Sequence, residues 1–513
     1  MRAAATAVRI FSETEEFLMI YQSTRNNELE VSSAEAIVAG LAPDGGLFIP
    51  KEKPQISIDD IKRLAEMNYK GRACGVLSLF LSDFTFEEIE NCVENAYSKE
   101  KFETESIAPL YGLKDDAYIL ELWHGPTCAF KDMALQILPH LLTTAMKKTG
   151  VDKEVVILVA TSGDTGKAAL EGFADVEGTK IIVFFPDDGV SEIQKLQMLT
   201  QKGNNVLVSS VKGNFDDAQS GVKKIFGNET FAEELSKKGY QLSSANSINW
   251  GRLVPQIIYY ISAYCDLMKS GAIEAGEAVN ICVPTGNFGN ILAAWYAKQM
   301  GLPVARLICA SNENNVLTDF INTGVYDKNR EFKTTISPSM DILISSNLER
   351  LLYDLSDAKT TKEYMFLLSA AGRYEVSPEI KHAISENFFA GYCDDADTKN
   401  TINKVWNESS YLMDTHTAVA YTVYENYKNA TGDETKTIIA STANPFKFNK
   451  SVLGAISESA VVNATEFEML EKLSGITGQK APDSLATLSE KEIRFDGKCE
   501  KQDMQSVVDN FLK

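Results

Sequence analysis

The sequence lacks any C-x-x-C pair: its 8 cysteines, at 74, 92, 128, 265, 282, 309, 393 and 499, are scattered, with only 4 histidines to join them. This argues against a structural zinc site and a disulfide framework, and for reduced thiols in a cytoplasmic protein. Long apolar runs are also missing. VVILVA at 155–160 and IIVFF at 181–185 fall far short of the roughly 18 residues that a membrane helix needs. Positive charge is in deficit, with 50 Lys plus Arg against 71 Asp plus Glu and a formal net charge of −21. Nucleic-acid binders carry a basic face, so no nucleic-acid partner is expected. By itself the same acidity disfavours anionic ligands. The start, MRAAATAVRIFSETEEFL, turns acidic before an apolar core forms, which makes a poor signal peptide and reads as an extension over 1–20. No repeat or low-complexity segment stands out.

What is present is a chain of 513 residues, 44% hydrophobic and 24% charged, long enough for several domains at roughly 100–200 residues each. Helical spacing in Ile58, Ile61 and Leu64, and again in Phe86, Ile89, Val93 and Tyr97, predicts a small helical N-terminal domain over 21–105. The PDGG at 43–46 reads as a turn. From 117 to 311 strand, loop and helix units repeat, the pattern of a parallel α/β sheet with crossover helices, and TIIAST at 437–442 predicts a late strand returning to it. Between them, 320–430 reads mostly as a helical insertion, with Ser346 and Glu349 forming a capping box. The expected division is a large domain from 106–140 and 245–513, and a small α/β domain from 141–244.

Three loops carry chemistry. In His124-Gly125-Pro126-Thr127-Cys128-Ala129-Phe130-Lys131-Asp132 the lysine falls at or near a helix N-terminus. There the macrodipole opposes its charge and favours the neutral, nucleophilic amine. An isolated lysine would read as a solvated surface group; its neighbours change that. Thr161-Ser162-Gly163-Asp164-Thr165-Gly166 follows a strand and precedes a helix, and reads either as a site for a small polar or anionic group or as an ordinary N-cap turn. Gly286-Asn287-Phe288-Gly289-Asn290 likewise joins strand to helix, but has neither G-x-G-x-x-G nor P-loop spacing. It reads as a phosphate cup at a helix N-terminus. An imine-forming lysine and a phosphate cup on one sheet match the needs of pyridoxal 5′-phosphate.

At these residues the sequence resembles the threonine synthases, within the fold type II pyridoxal-phosphate enzymes. HGPTCAFKD is similar to their Schiff-base lysine motif, TSGDTG to their substrate and cofactor loop, and GNFGN to their phosphate cup. SEIQKLQM, NSINWGR, SPSMDILISSNLERLLYD, STANPFKF and VSSAEAIVAGLAPDGGLFIP also resemble family segments, so the likeness runs from about Tyr21 to about Leu453. It implies an α/β fold with parallel-sheet cofactor and substrate domains. It also implies that Lys131 holds pyridoxal 5′-phosphate, that Gly286, Asn287, Phe288, Gly289 and Asn290 bind its phosphate, and that Thr442, or else Ser441, faces the pyridine nitrogen. Asp164 is implied near the ring hydroxyl. The implied substrate is O-phospho-L-homoserine, with Arg252, Ser162, Thr165 and Asn249 meeting its phosphate; the alternative for Arg252 is a structural ion pair. Asn444 and Phe446 stand where relatives often have His and Ala, and Cys128 where a larger aliphatic residue is common, so Cys128 reads as packing. His124 reads as a residue that orients the loop. A serine or threonine dehydratase-like lyase and a non-catalytic threonine-synthase-like protein are the alternatives, and a monomer or dimer is expected.

Overall fold

A computed structural model of the protein describes residues 18–114, 116–161, 163–187 and 190–513. Most of the predicted extension and the predicted site residue Ser162 lie outside the described residues.

Two sheets organise the chain. The larger has six strands in the order Phe388–Tyr392, Val304–Ser311, Val279–Pro284, Thr437–Ser441, Ala117–Glu121 and Leu110–Gly112. All neighbours are parallel except the last pair. The strand predicted at 437–442 therefore lies at the centre of the sheet, between the strands that lead into the lysine loop and the glycine loop. Val279–Pro284 and Thr437–Ser441 are buried at every residue, as expected where helices cover both faces of a parallel sheet. The second sheet has five parallel strands in the order Lys498–Cys499, Val206–Val211, Thr179–Pro186, Glu154–Ala160 and Tyr240–Ser243. Helix Trp250–Lys269, buried along most of its length, runs between the N-terminal helices and the large sheet's Gly289–Gln299 helix.

Four expectations need correction or refinement. Residues 21–105 are not purely helical: Tyr21–Ser23, Asn26–Val31 and Phe48–Pro50 form an antiparallel sheet, and Asp44 fastens the 43–46 turn by accepting from Gly46 N and Ser23 Oγ. The 320–430 stretch contains the edge strand of the large sheet, Phe388–Tyr392, and the pair Val325–Asp327 with Arg373–Glu375. The C-terminal segment leaves the large domain altogether, since Lys498–Cys499 pairs with Val206–Val211 of the small sheet. Nor does the Ser346–Glu349 capping box form. Asn347 occupies the N-cap of Leu348–Asp354 without a side-chain cap, and Glu349 turns away to Arg25 and Thr24. A buried carboxylate gains more from a two-pronged guanidinium than from one backbone N–H.

Candidate active site

The lysine loop is held against the central strand's continuation. Ala129 bridges Ala443, Phe130 N donates to Thr442 O at 2.8 Å, and Asn444 N donates to Cys128 O at 3.0 Å. HGPTCAFKD and STANPFKF are thus one two-stranded unit at the carboxyl end of the sheet, where ligands bind in open α/β folds. Lys131 caps the short helix Asp132–Leu135. Its side chain is 13% exposed, and Nζ lies 3.3 Å from Ser339 Oγ and 3.7 Å from Asp164 Oδ2.

Asp164, at the start of helix Asp164–Phe173, binds at its other oxygen a second lysine that sequence reasoning missed. Lys447, from STANPFKF, is fully buried; its Nζ lies 2.9 Å from Asp164 Oδ1 and donates to Thr127 O at 2.8 Å. Gln194 Nε2 adds a 2.8 Å bond to the same oxygen. Burial alone would raise the Asp164 carboxyl, but Lys447 and Lys131 hold it well below the usual carboxylate range. Burial pushes the Lys131 amine below its ordinary value; Asp164 opposes this, while Lys447 and Arg252 reinforce it. The amine is lowered as expected, but through burial and the neighbouring cations Lys447 and Arg252 rather than through the helix dipole. Lowered basicity favours the neutral, nucleophilic form of the amine.

The glycine loop meets the lysine through Ser339. A Cβ added at Gly286 would lie 2.7 Å from Ser339 O, so only glycine lets these backbones approach. The loop carbonyls face backwards: Gly286 O accepts from Ser345 Oγ, and Asn287 O from Asn347 N and Nδ2. Phe288 takes a left-handed φ of 60° just before helix Gly289–Gln299. The N–H groups of Asn287, Phe288, Gly289 and Asn290 then find no acceptor among the described residues, which is the donor arrangement a phosphate requires. Asn290 is buried; its Oδ1 accepts from Tyr259 and Tyr260, and its Nδ2 has no partner among the described residues. An amine and a ring of free backbone donors, joined by one serine, fit pyridoxal 5′-phosphate.

Ser441 and Thr442 separate clearly. Ser441 Oγ accepts from Trp123 Nε1 at 2.9 Å and lies 2.9 Å from Thr417 Oγ1, whose proton goes to Asp414. Ser441 therefore also donates to Thr417, and its hydroxyl is engaged. The Thr442 hydroxyl has no hydrogen-bond partner among the described residues.

The predicted phosphate donors fare unevenly. Arg252 is 4% exposed; one Nη donates to Ala245 O at 2.8 Å, and burial lowers the guanidinium to about 10. Among the described residues its buried Nε has no partner and it forms no structural ion pair. The Thr165 hydroxyl is half-buried and free of partners among the described residues. Asn249 needs correction: it is the N-cap of Trp250–Lys269, accepting from Gly251 N and donating to Ile37 O, so its carboxamide is already committed to the fold. Cys128 is buried with its thiol pushed up to about 12, which leaves it inert. His124 stacks on Trp123 and binds Glu121 at 2.8 Å, tying the loop to its own strand.

Comparison with known proteins bears directly on this geometry. Residues 20–97 match the family "Threonine synthase N terminus", 102–366 match "Pyridoxal-phosphate dependent enzyme", and 417–509 match "Threonine synthase, C-terminal". Threonine synthase of Schizosaccharomyces pombe is 38% identical over 86% of this chain and 90% of its own length. The chain belongs to the threonine synthase family of pyridoxal-phosphate-dependent enzymes. Another member of this family, human "Threonine synthase-like 1", is 42% identical over 82% of the chain, which spans only 58% of that protein. The crystal structure of pyridoxal-phosphate-bound threonine synthase from Brucella melitensis superposes with a TM-score of 0.86 at 34% identity, covering 96% of this chain and 100% of that one. The fold is thus the fold type II arrangement of this family.

Proposed function

We propose that the protein is a threonine synthase, converting O-phospho-L-homoserine and water to L-threonine and phosphate. The reading is supported by Lys131 and the 286–290 loop, which both lie against Ser339, by the N–H groups of 287–290 that find no acceptor among the described residues, and by a nearby buried Arg252 with no ion-pair partner among the described residues.

Pyridoxal 5′-phosphate, when bound, supplies the electron sink for charge developing at the substrate's Cα. Lys131 would hold it covalently, Gly286, Asn287, Phe288, Gly289 and Asn290 would receive its phosphate, and Thr442 would offer a hydroxyl to its ring nitrogen. The free Lys131 Nζ would remove the proton from the substrate's Cα and then one from Cβ. Phosphate leaves Cγ, water adds at Cβ, and Lys131 returns protons to carbon. Asp164, ionised between two lysines, holds Nζ near its working position. Arg252 and Thr165 receive the substrate phosphate, Arg252 through the guanidinium face not used by Ala245. The overall charge of −21 does not prevent this, because Lys447 and Arg252 bring positive charge into the buried site.

The test is Arg252→Ala assayed for phosphate release from O-phospho-L-homoserine and for keto-acid release from threonine. A raised KM for the phosphorylated substrate, with little keto acid formed by either protein, supports the proposal. Unchanged kinetics, or a dominant keto-acid activity, contradicts it.

A further inference from the structure

A connected set of buried polar groups lies behind Lys131, on the side of the SPSMD segment. Asp414, fully buried, is the N-cap of helix Thr415–Thr431 and accepts from His416 N, Thr417 N and Thr417 Oγ1. Its Oδ2 also meets His416 Nδ1 at 2.7 Å. At the far side of the ring, His416 Nε2 accepts from Ser339 N at 3.2 Å. A backbone N–H can only donate, so Nε2 carries no proton, and Nδ1–H points to Asp414. His416 is 2% exposed and meets Phe448 edge-on at 4.8 Å, which fixes the ring plane. The Ser339 hydroxyl then accepts from Lys131 Nζ and donates to Asp164 Oδ2, each at 3.3 Å.

We propose that Ser339 is a positioning residue for Lys131, steering its free amine through the Oγ contact, and that the Asp414–His416 pair holds Ser339 in place. The assignment rests on the reading of Lys131 as the cofactor's anchor. The reasoning is geometric. A lysine side chain has four rotatable bonds, and after release it must present one nitrogen first to Cα and then to Cβ. Asp164 supplies a charge without a fixed direction, whereas a hydroxyl that accepts from Nζ and donates to Asp164 defines one approach. Asp414 is the common anchor: through His416 it fixes Ser339, and through Thr417 it fixes Ser441 beside Thr442. One buried carboxylate thus sets the positions of two segments that flank the lysine.

The experiment uses the cofactor-free full-length protein. It measures the rate at which added pyridoxal 5′-phosphate forms the yellow lysine-bound chromophore, alongside the affinity for pyridoxine 5′-phosphate, which fills the phosphate cup but has no aldehyde. Ser339→Ala is expected to slow chromophore formation about ten-fold to a hundred-fold, the scale of a misplaced reacting group, with pyridoxine 5′-phosphate affinity unchanged. Ser339→Thr, which keeps the hydroxyl, restores the rate. His416→Phe slows it in the same direction; should that variant fail to fold, the two Ser339 variants carry the test. Three outcomes overturn the proposal: an unaltered rate in Ser339→Ala, a parallel loss of pyridoxine 5′-phosphate affinity that makes Ser339 a support for the cup alone, or a folded, ligand-binding Ser339→Thr that stays slow. Failure of the underlying reading looks different, because Lys131→Ala would then form the chromophore as fast as the unaltered protein.

Discussion

Lys447 Nζ lies 2.9 Å from Asp164 Oδ1 with both side chains withdrawn from solvent, and the remaining Asp164 oxygen faces Lys131. Removing one partner of a buried pair leaves an uncompensated charge, so Lys447→Met should cost about 3–5 kcal/mol in urea unfolding. It should also raise the pH midpoint for covalent attachment of pyridoxal 5′-phosphate. Lys447 lowers the Lys131 amine, and its loss leaves Asp164 to stabilise the Lys131 ammonium. A midpoint that stays put or falls would mean that Lys447 has no electrostatic influence on Lys131.

Acid stability should depend on Asp164. Its folded-state pKa is depressed, so its contribution is fully present above the unfolded carboxylate value of about 3.9 and declines as pH falls below it. Asp164→Asn should be less stable than the unaltered protein at neutral pH, and the difference should shrink on acidification from pH about 4 downward. Unfolding curves collected at several pH values give the answer; a constant difference would show that Asp164 is not held ionised by its lysines.

Gly286→Ala should weaken cofactor retention. The added methyl would meet Ser339 O at 2.7 Å and Met340 Cα at 3.3 Å, forcing the glycine loop and the SPSMD segment apart. Equilibrium dialysis against pyridoxine 5′-phosphate is the readout, with a clear loss of affinity expected. Binding as tight as before would place the phosphate elsewhere.

Ser441 and Thr442 should respond oppositely. Ser441→Ala strands the Trp123 indole N–H and is expected to lower stability by about 1–3 kcal/mol, whereas Thr442→Val deletes a hydroxyl with no protein partner and should leave stability almost unchanged. Thr442→Val should instead shift the absorption maximum of the bound cofactor and lower kcat. If Ser441→Ala carries the spectral effect, the assignment of the ring-nitrogen partner is reversed.

Local chemistry made part of this site legible in the sequence. Lys131 and the 286–290 loop sit where strand gives way to helix, and glycine, hydroxyl and lysine identities within a few residues carry the information. Lys447, Ser339 and the Asp414–His416 pair were hidden because their roles arise from contacts across the fold. Lys447 lies 316 residues beyond Lys131, and the pairing around the Ala129–Ala443 bridge brings its segment alongside the lysine loop. SPSMD and STANPFKF were recognisable as family segments, yet a segment likeness does not say which side chain touches the amine. Periodicity failed at Phe388–Tyr392 and Lys498–Cys499, where strands of five and two residues are too short to display alternation. It failed differently at Glu349, where a tertiary ion pair with Arg25 outcompeted a local cap.

The most direct test of the account is to supply the holoprotein with O-phospho-L-homoserine and quantify L-threonine and inorganic phosphate together. The account predicts both products in equal amounts, and neither from Lys131→Ala. A protein whose yellow chromophore is fixed to Lys131 by borohydride, yet which releases no phosphate and forms no threonine, would contradict it.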